Sequence, residues 1–100
     1  MSNFKEKNVL ITGAASGIGR LMAEKIAAQQ AHVILWDLNA DDLQAVSEEL
    51  GRRGQRCSTY VCDVSDREAV YATAARVLED CGPLDVLINN AGIVSGRPLL

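Results

Sequence analysis

Four short apolar runs, separated by segments with a helical repeat, are the feature that most constrains how this chain of 100 residues can fold. Val9-Leu10-Ile11-Thr12 is apolar and β-branched and ends at Gly13, so it reads as a buried strand stopped by a turn. Ile18, Leu21, Met22 and Ile26 then fall at i, i+3, i+4 and i+8, which predicts a helix from Gly17 toward Gln30 with those residues on its buried face. The run His32-Val33-Ile34-Leu35-Trp36-Asp37 is too continuous for a strand with one wet face, and implies cover on both sides and parallel pairing. Leu43, Val46 and Leu50 repeat behind Asn39-Ala40-Asp41-Asp42, whose short side chains and acids suit a helix N-terminus, and Gly51 and Gly54 are expected to end that helix. Cys57 to Asp63 has the β propensity of a third strand. Ser65 and Glu68 form a capping box for a third helix, with Val70, Ala74, Val77, Leu78 and Cys81 expected on its buried face. Gly82-Pro83 stops that helix, and Val86-Leu87-Ile88 supplies a fourth strand before Asn89-Asn90-Ala91-Gly92.

Strands alternating with helices in this way predict an α/β fold of Rossmann type: a doubly wound parallel sheet with right-handed crossovers, here its first four strands and three helices. The length fits one domain, and 48% hydrophobic with 23% charged residues places the chain well away from disordered compositions. In the strand order 3-2-1-4 the fourth strand is an open apolar edge, and the chain closes on Leu99-Leu100 shortly after it. Residues 1–100 are therefore expected to be the N-terminal part of a longer single domain. The alternative is a self-contained, non-catalytic nucleotide-binding or scaffold module. A net charge of −3 disfavours nucleic acid as a partner. The apolar runs are far short of the ~20 residues of a membrane span. With the polar start Met1 to Asn8, this leads to the expectation of a cytoplasmic chain with no membrane anchor. Cys57, Cys62 and Cys81 are spaced unlike a redox pair or a zinc site and read as buried thiols, and the lone His32 is assigned no chemistry and no metal.

Ligands of open parallel sheets bind at the carboxyl ends of the strands, which directs attention to the residues closing each run. The first turn, Thr12-Gly13-Ala14-Ala15-Ser16-Gly17-Ile18-Gly19, spaces its glycines as GxxxGxG between a strand and a helix. Such a turn offers backbone N–H groups and the positive end of a helix dipole to an anion, and the missing Cβ atoms admit a pyrophosphate. The plainer alternative is a turn whose glycines only permit tight packing. Asp37 ends the second strand 18 residues past Gly19, near the ~20 at which an acid accepts hydrogen bonds from an adenosine ribose and repels a 2′-phosphate. Positions 16 and 38, where a cation would pair with that phosphate, hold Ser16 and Leu38, so the cofactor expected is NAD rather than NADP. The alternative for Asp37 is a solvated strand-end or helix-capping acid.

TGAASGIG, Asp37, Cys62-Asp63-Val64 and Asn89-Asn90-Ala91-Gly92, in that order, resemble the cofactor-binding half of the short-chain dehydrogenase/reductase family, over roughly Lys7 to Leu100. The resemblance implies that Ser16 and the Ile18 backbone contact the cofactor's phosphates and ribose. It also implies that Asp63 bonds the adenine amino group, that Val64 packs on that ring, and that Asn90, Ala91 and Gly92 lie beside the sugars while Asn89 braces the central strands. Gly13, Gly17, Gly19, Asp37 and Leu38 complete the expected cofactor-binding set. The implied reaction is hydride transfer between the nicotinamide and a small-molecule secondary alcohol or ketone, in an enzyme that is a homo-oligomer when complete. The family's catalytic Ser, and the Tyr and Lys of its YxxxK motif, are expected beyond Leu100. Neither Tyr60, followed four residues on by Val64, nor Tyr71, followed by Ala75, opens such a motif. Leu35-Trp36-Asp37-Leu38-Asn39 and Ile93-Val94-Ser95-Gly96 are further similar to the branch that contains retinol and 17β-hydroxysteroid dehydrogenases.

Overall fold

A computed structural model describes residues 3–90 and gives the order β1 (Asn8–Thr12), α1 (Gly17–Ala27), β2 (His32–Asp37), α2 (Ala40–Arg52), β3 (Arg56–Val61), α3 (Arg67–Cys81) and β4 (Val86–Asn89). The four strands form one parallel sheet in the order β3-β2-β1-β4. Thr12 pairs with Trp36 on one side and Asn89 on the other, which brings the carboxyl ends of the strands to a common edge. Among the described residues no helix is long and apolar enough to cross a membrane.

The continuous apolar runs are explained by cover on both faces. Val9, Ile11, Val33 and Leu35 point to one side and pack with Ala23, Ile26, Leu43, Val46 and Leu50 of α1 and α2. Leu10, Ile34 and Trp36 point to the other and pack with Tyr60, Val70 and Val77, the last two from α3. The side-chain alternation of a strand thus feeds two separate cores. The expected buried face of α2, Leu43, Val46 and Leu50, is observed in full.

Two helices bury the expected face only in part. The buried positions of α1 are Gly19, Ala23, Ile26 and Ala27, while Ile18 and Leu21 are exposed. Ile26 is buried as expected and Met22 packs half-buried against the same core, but the buried arc extends to Gly19, Ala23 and Ala27 instead of Ile18 and Leu21. The cause is the small-residue ridge, which lets the helix approach the strands closely, whereas the larger residues on the adjoining face would hold it off. On α3 the buried residues are Val70, Thr73 and Val77, with Cys81 half-buried; Ala74 and Leu78 are exposed because the helix meets only the sheet among the described residues.

Element ends differ for local reasons. Gly51 lies inside α2, which closes as a Schellman motif: Gly54, at φ +72°, donates to the Gly51 carbonyl at 3.0 Å and Gln55 to the Leu50 carbonyl at 3.0 Å. β3 stops at Val61, before Asp63, because the chain turns there, with Asp66 N donating to the Asp63 carbonyl at 3.0 Å. The N-cap of α3 is Asp66, which accepts from Ala69 N at 3.2 Å, and not Ser65, whose hydroxyl instead donates to Asp63 Oδ1 at 2.7 Å. Of the three free cysteines Cys62 is buried, and Cys57 and Cys81 are half-buried; burial pushes the Cys57 thiol up to about 11, with a hydrogen bond from Ser47 opposing the rise.

Asp66→Ala is expected to cost about 1 kcal/mol, the usual worth of an N-cap, and Ser65→Ala distinctly less, as read by urea denaturation. His32, whose Nε2 lies 2.8 Å from Ser58 Oγ, has its pKa lowered by burial and then by the charge of Arg56. The unfolded chain then takes up the imidazole proton before the native state does. The stability His32 provides is present above about pH 6.5 and is lost as pH falls toward the lower native value. His32→Gln should flatten the decline of denaturation midpoint across that acidic range.

Candidate functional site

The common edge at the carboxyl ends of the strands collects the segments that the sequence marks: the turn after β1, the β2–α2 and β3–α3 connections, and the end of β4. The turn runs directly into α1, whose N-cap Ser16 is exposed, extended, and makes no side-chain cap bond. No acid occupies the first turn of α1, whereas α2 and α3 each carry an acidic residue there and are capped by Asn39 and Asp66. The positive end of the α1 dipole is therefore left to an anion from outside the helix, which fits a phosphate group.

The two later glycines differ in what they permit. Gly17 has φ +58°, and a Cβ there would meet nothing within 4 Å, so the space beside the helix start is open. At Gly19 a Cβ would overlap the Gly13 carbonyl and come within 2.5 Å of Asn90 Nδ2. Its missing side chain serves the packing of α1 against the turn, which is the plainer of the two roles considered for these glycines. Asn90 Nδ2 in turn donates to the Gly13 carbonyl at 3.1 Å, and Thr12 Oγ1 donates to Asn89 Oδ1 at 2.9 Å. The Asn89-Asn90 pair thus ties the end of β4 to the end of β1 and to the turn.

Asp37 is the last residue of β2 and half-buried. Its Oδ2 accepts from Ala15 N at 3.0 Å and its Oδ1 from Asn39 N at 3.0 Å, so the carboxylate stands against the glycine turn rather than free in solvent. Leu38 is 64% exposed beside it. Neither the turn 12–19 nor the connection 37–39 contains Lys or Arg, and Arg20, just beyond, is paired with Glu24 at 3.3 Å. Across β3, Asp63 is exposed; the Ser65 hydroxyl, followed by the Ser65 N–H, holds its carboxyl below the usual range, so it remains an anionic acceptor at neutral pH. Val64 packs against the core that holds Trp36. The expected site residues Gly13, Ser16, Gly17, Ile18, Gly19, Asp37, Leu38, Asp63, Val64 and Asn90 all lie on these strand-end segments, while Ala91 and Gly92 lie outside the described residues. Ala15 carries no signal in the sequence, because only the path of the turn beside β2 brings its N–H to the acid of the neighbouring strand.

Gly17→Ala is expected to cost about 1–2 kcal/mol through its left-handed backbone alone. Gly19→Ala should cost about 3 kcal/mol or more, because a carbonyl and Asn90 must move. Urea denaturation of the two variants checks the order. Ser65→Ala should raise the Asp63 carboxyl pKa toward its ordinary value, as followed by carboxyl carbon NMR.

A family model described as short chain dehydrogenase matches residues 7–100. Retinol dehydrogenase 10-B of Danio rerio is 40% identical over 96% of this chain, which spans 36% of that relative's length. L-sorbose reductase from Gluconobacter frateurii, solved with NADPH and L-sorbose, superposes with a TM-score of 0.86 at 35% identity, covering 93% of this chain and 36% of that one. A short chain dehydrogenase/reductase from Burkholderia phymatum, solved with NAD, gives a TM-score of 0.81 at 34% identity, covering 87% of this chain and 31% of that one. A Rossmann-type sheet, an uncapped glycine turn and a family match over nearly the whole chain agree: the chain belongs to the short chain dehydrogenase family of nicotinamide-dependent oxidoreductases.

Proposed function

We propose that residues 1–100 are the NAD-binding part of a longer single domain, in an oxidoreductase that moves hydride between the nicotinamide and a secondary alcohol or ketone. The observation that carries the choice of NAD is the Asp37 carboxylate, held 3.0 Å from the glycine turn in a neighbourhood whose two connections contain no cation. An anion at this position favours ribose hydroxyls, which donate to it, and opposes a 2′-phosphate.

When bound, the cofactor supplies hydride transfer. The chain's own residues would bind and orient it. The first-turn N–H groups of α1, at Gly17 and Ile18, would receive the pyrophosphate. The Asp37 carboxylate would accept from the adenosine ribose, which leaves Leu38 as an apolar wall. Asp63 would accept from the adenine amino group and Val64 would support the ring. Asn90, already bound to the Gly13 carbonyl, would keep the turn and the end of β4 in register beside the sugars. The groups that exchange a proton with the substrate oxygen belong to the remainder of the enzyme, since the chain spans about a third of the length of the relatives it matches.

Isothermal titration of the full-length protein with NAD and NADP tests the proposal. Selective binding of NAD is expected. Asp37→Ala should shift the ratio of affinities toward NADP by about tenfold or more, the worth of a hydrogen bond to a charged group. An unchanged ratio would remove Asp37 from its role.

A further inference from the structure

The Asp37 carboxylate is engaged by the chain's own backbone. Its two oxygens accept from backbone N–H groups on opposite sides, Ala15 in the glycine turn and Asn39 ahead of α2. Its own carbonyl accepts from Cys62 N at 3.0 Å, and the carbonyl before it, of Trp36, accepts from Ala14 N at 3.3 Å. One residue therefore joins the connections that follow β1, β2 and β3. Ala15 is 2% exposed, so its N–H has little access to water as a substitute partner. An unpaired buried donor costs more than the bond itself is worth.

From this geometry we infer that Asp37 is a positioning residue for the phosphate-binding turn as well as an acceptor for the ribose. The turn has positive φ at both Gly13 and Gly17, residues that on their own restrict the backbone least. The bonds to Ala14 and Ala15 fix the segment between them, and so fix where the N–H groups at the start of α1 face. A carboxylate suits the task because it only accepts and has two oxygens, whereas an asparagine offers one acceptor and turns an NH₂ toward the other donor. Each carboxylate oxygen retains a second lone pair for a ribose hydroxyl, so the two tasks are compatible. The inference rests on the reading that a dinucleotide binds at this turn, but the tie itself is made entirely within the chain.

Amide hydrogen exchange of the ligand-free full-length protein tests it. In Asp37→Ala the Ala15 amide should exchange about tenfold faster or more, while Asp41→Asn, which removes the same charge from α2, leaves it unchanged. Should Asp37→Ala fail to fold, the wild type decides: a scalar coupling through the hydrogen bond should join the Ala15 amide nitrogen to the Asp37 carboxyl carbon. Inorganic pyrophosphate, which has no ribose, supplies a test of opposite sign. Loss of a negative charge alone would tighten its binding, whereas loss of positioning weakens it, as followed by phosphorus NMR. Unchanged Ala15 exchange, absence of that coupling, or tighter pyrophosphate binding would each overturn the inference. Faster exchange with an unchanged NAD-to-NADP ratio would leave the positioning role standing and remove the ribose role. A wild type that does not bind pyrophosphate would overturn the phosphate reading of the turn and this inference with it.

Discussion

Because β1 and β2 are buried on both faces, each needs helices above and below, and that requirement organises the rest of the molecule. Apolar strands without a wet face are stable only when crossover helices cover them, and right-handed crossovers then set which helix lies on which side. Steps from β1 to β2 to β3 put α1 and α2 against Val9, Ile11, Val33 and Leu35. The return from β3 to β4 carries α3 to the other face, against Leu10, Ile34 and Trp36. Reversal of direction at β1 leaves a crevice beyond the strand ends, where parallel sheets of this order bind ligands.

The chemistry of that crevice follows from what closes each strand. A glycine turn gives α1 a start with no cap of its own, and an acid at the end of β2 stands against that turn. Asn89 and Asn90 fasten the last strand to the end of β1 and to the turn. These contacts lie between residues far apart in sequence, so the site is a product of the sheet's order and not of any one segment.

The alternation of elements was legible in the sequence because period-2 and period-3.6 patterns are properties of a local window, and the strand order followed from the doubly wound arrangement that such alternation implies. The buried face of α2 was legible for the same reason: Leu43, Val46 and Leu50 are large residues on one stripe. The face of α1 was not, since an apolar count favours Ile18 and Leu21 over Gly19 and Ala23, whereas close packing on a sheet favours the small residues. Ser65 is the cap that its spacing to Glu68 suggests, but Asp63 takes the serine hydroxyl and the cap falls to its neighbour Asp66. Glycines 13, 17 and 19 were visible as a turn. That Gly19 yields to a carbonyl, while Gly17 faces open space, depends on the approach of α1 and Asn90 and has no signature in the spacing.

The most direct test of the account is a map of backbone amide shifts in the full-length protein on addition of NAD. Perturbations centred on Gly17, Ile18, Gly19, Asp37 and Asp63, at the carboxyl ends of the strands, are predicted. Perturbations confined to the opposite end of the sheet, around Gln30, Arg53 and Arg56, or no perturbation at saturating NAD, would contradict it.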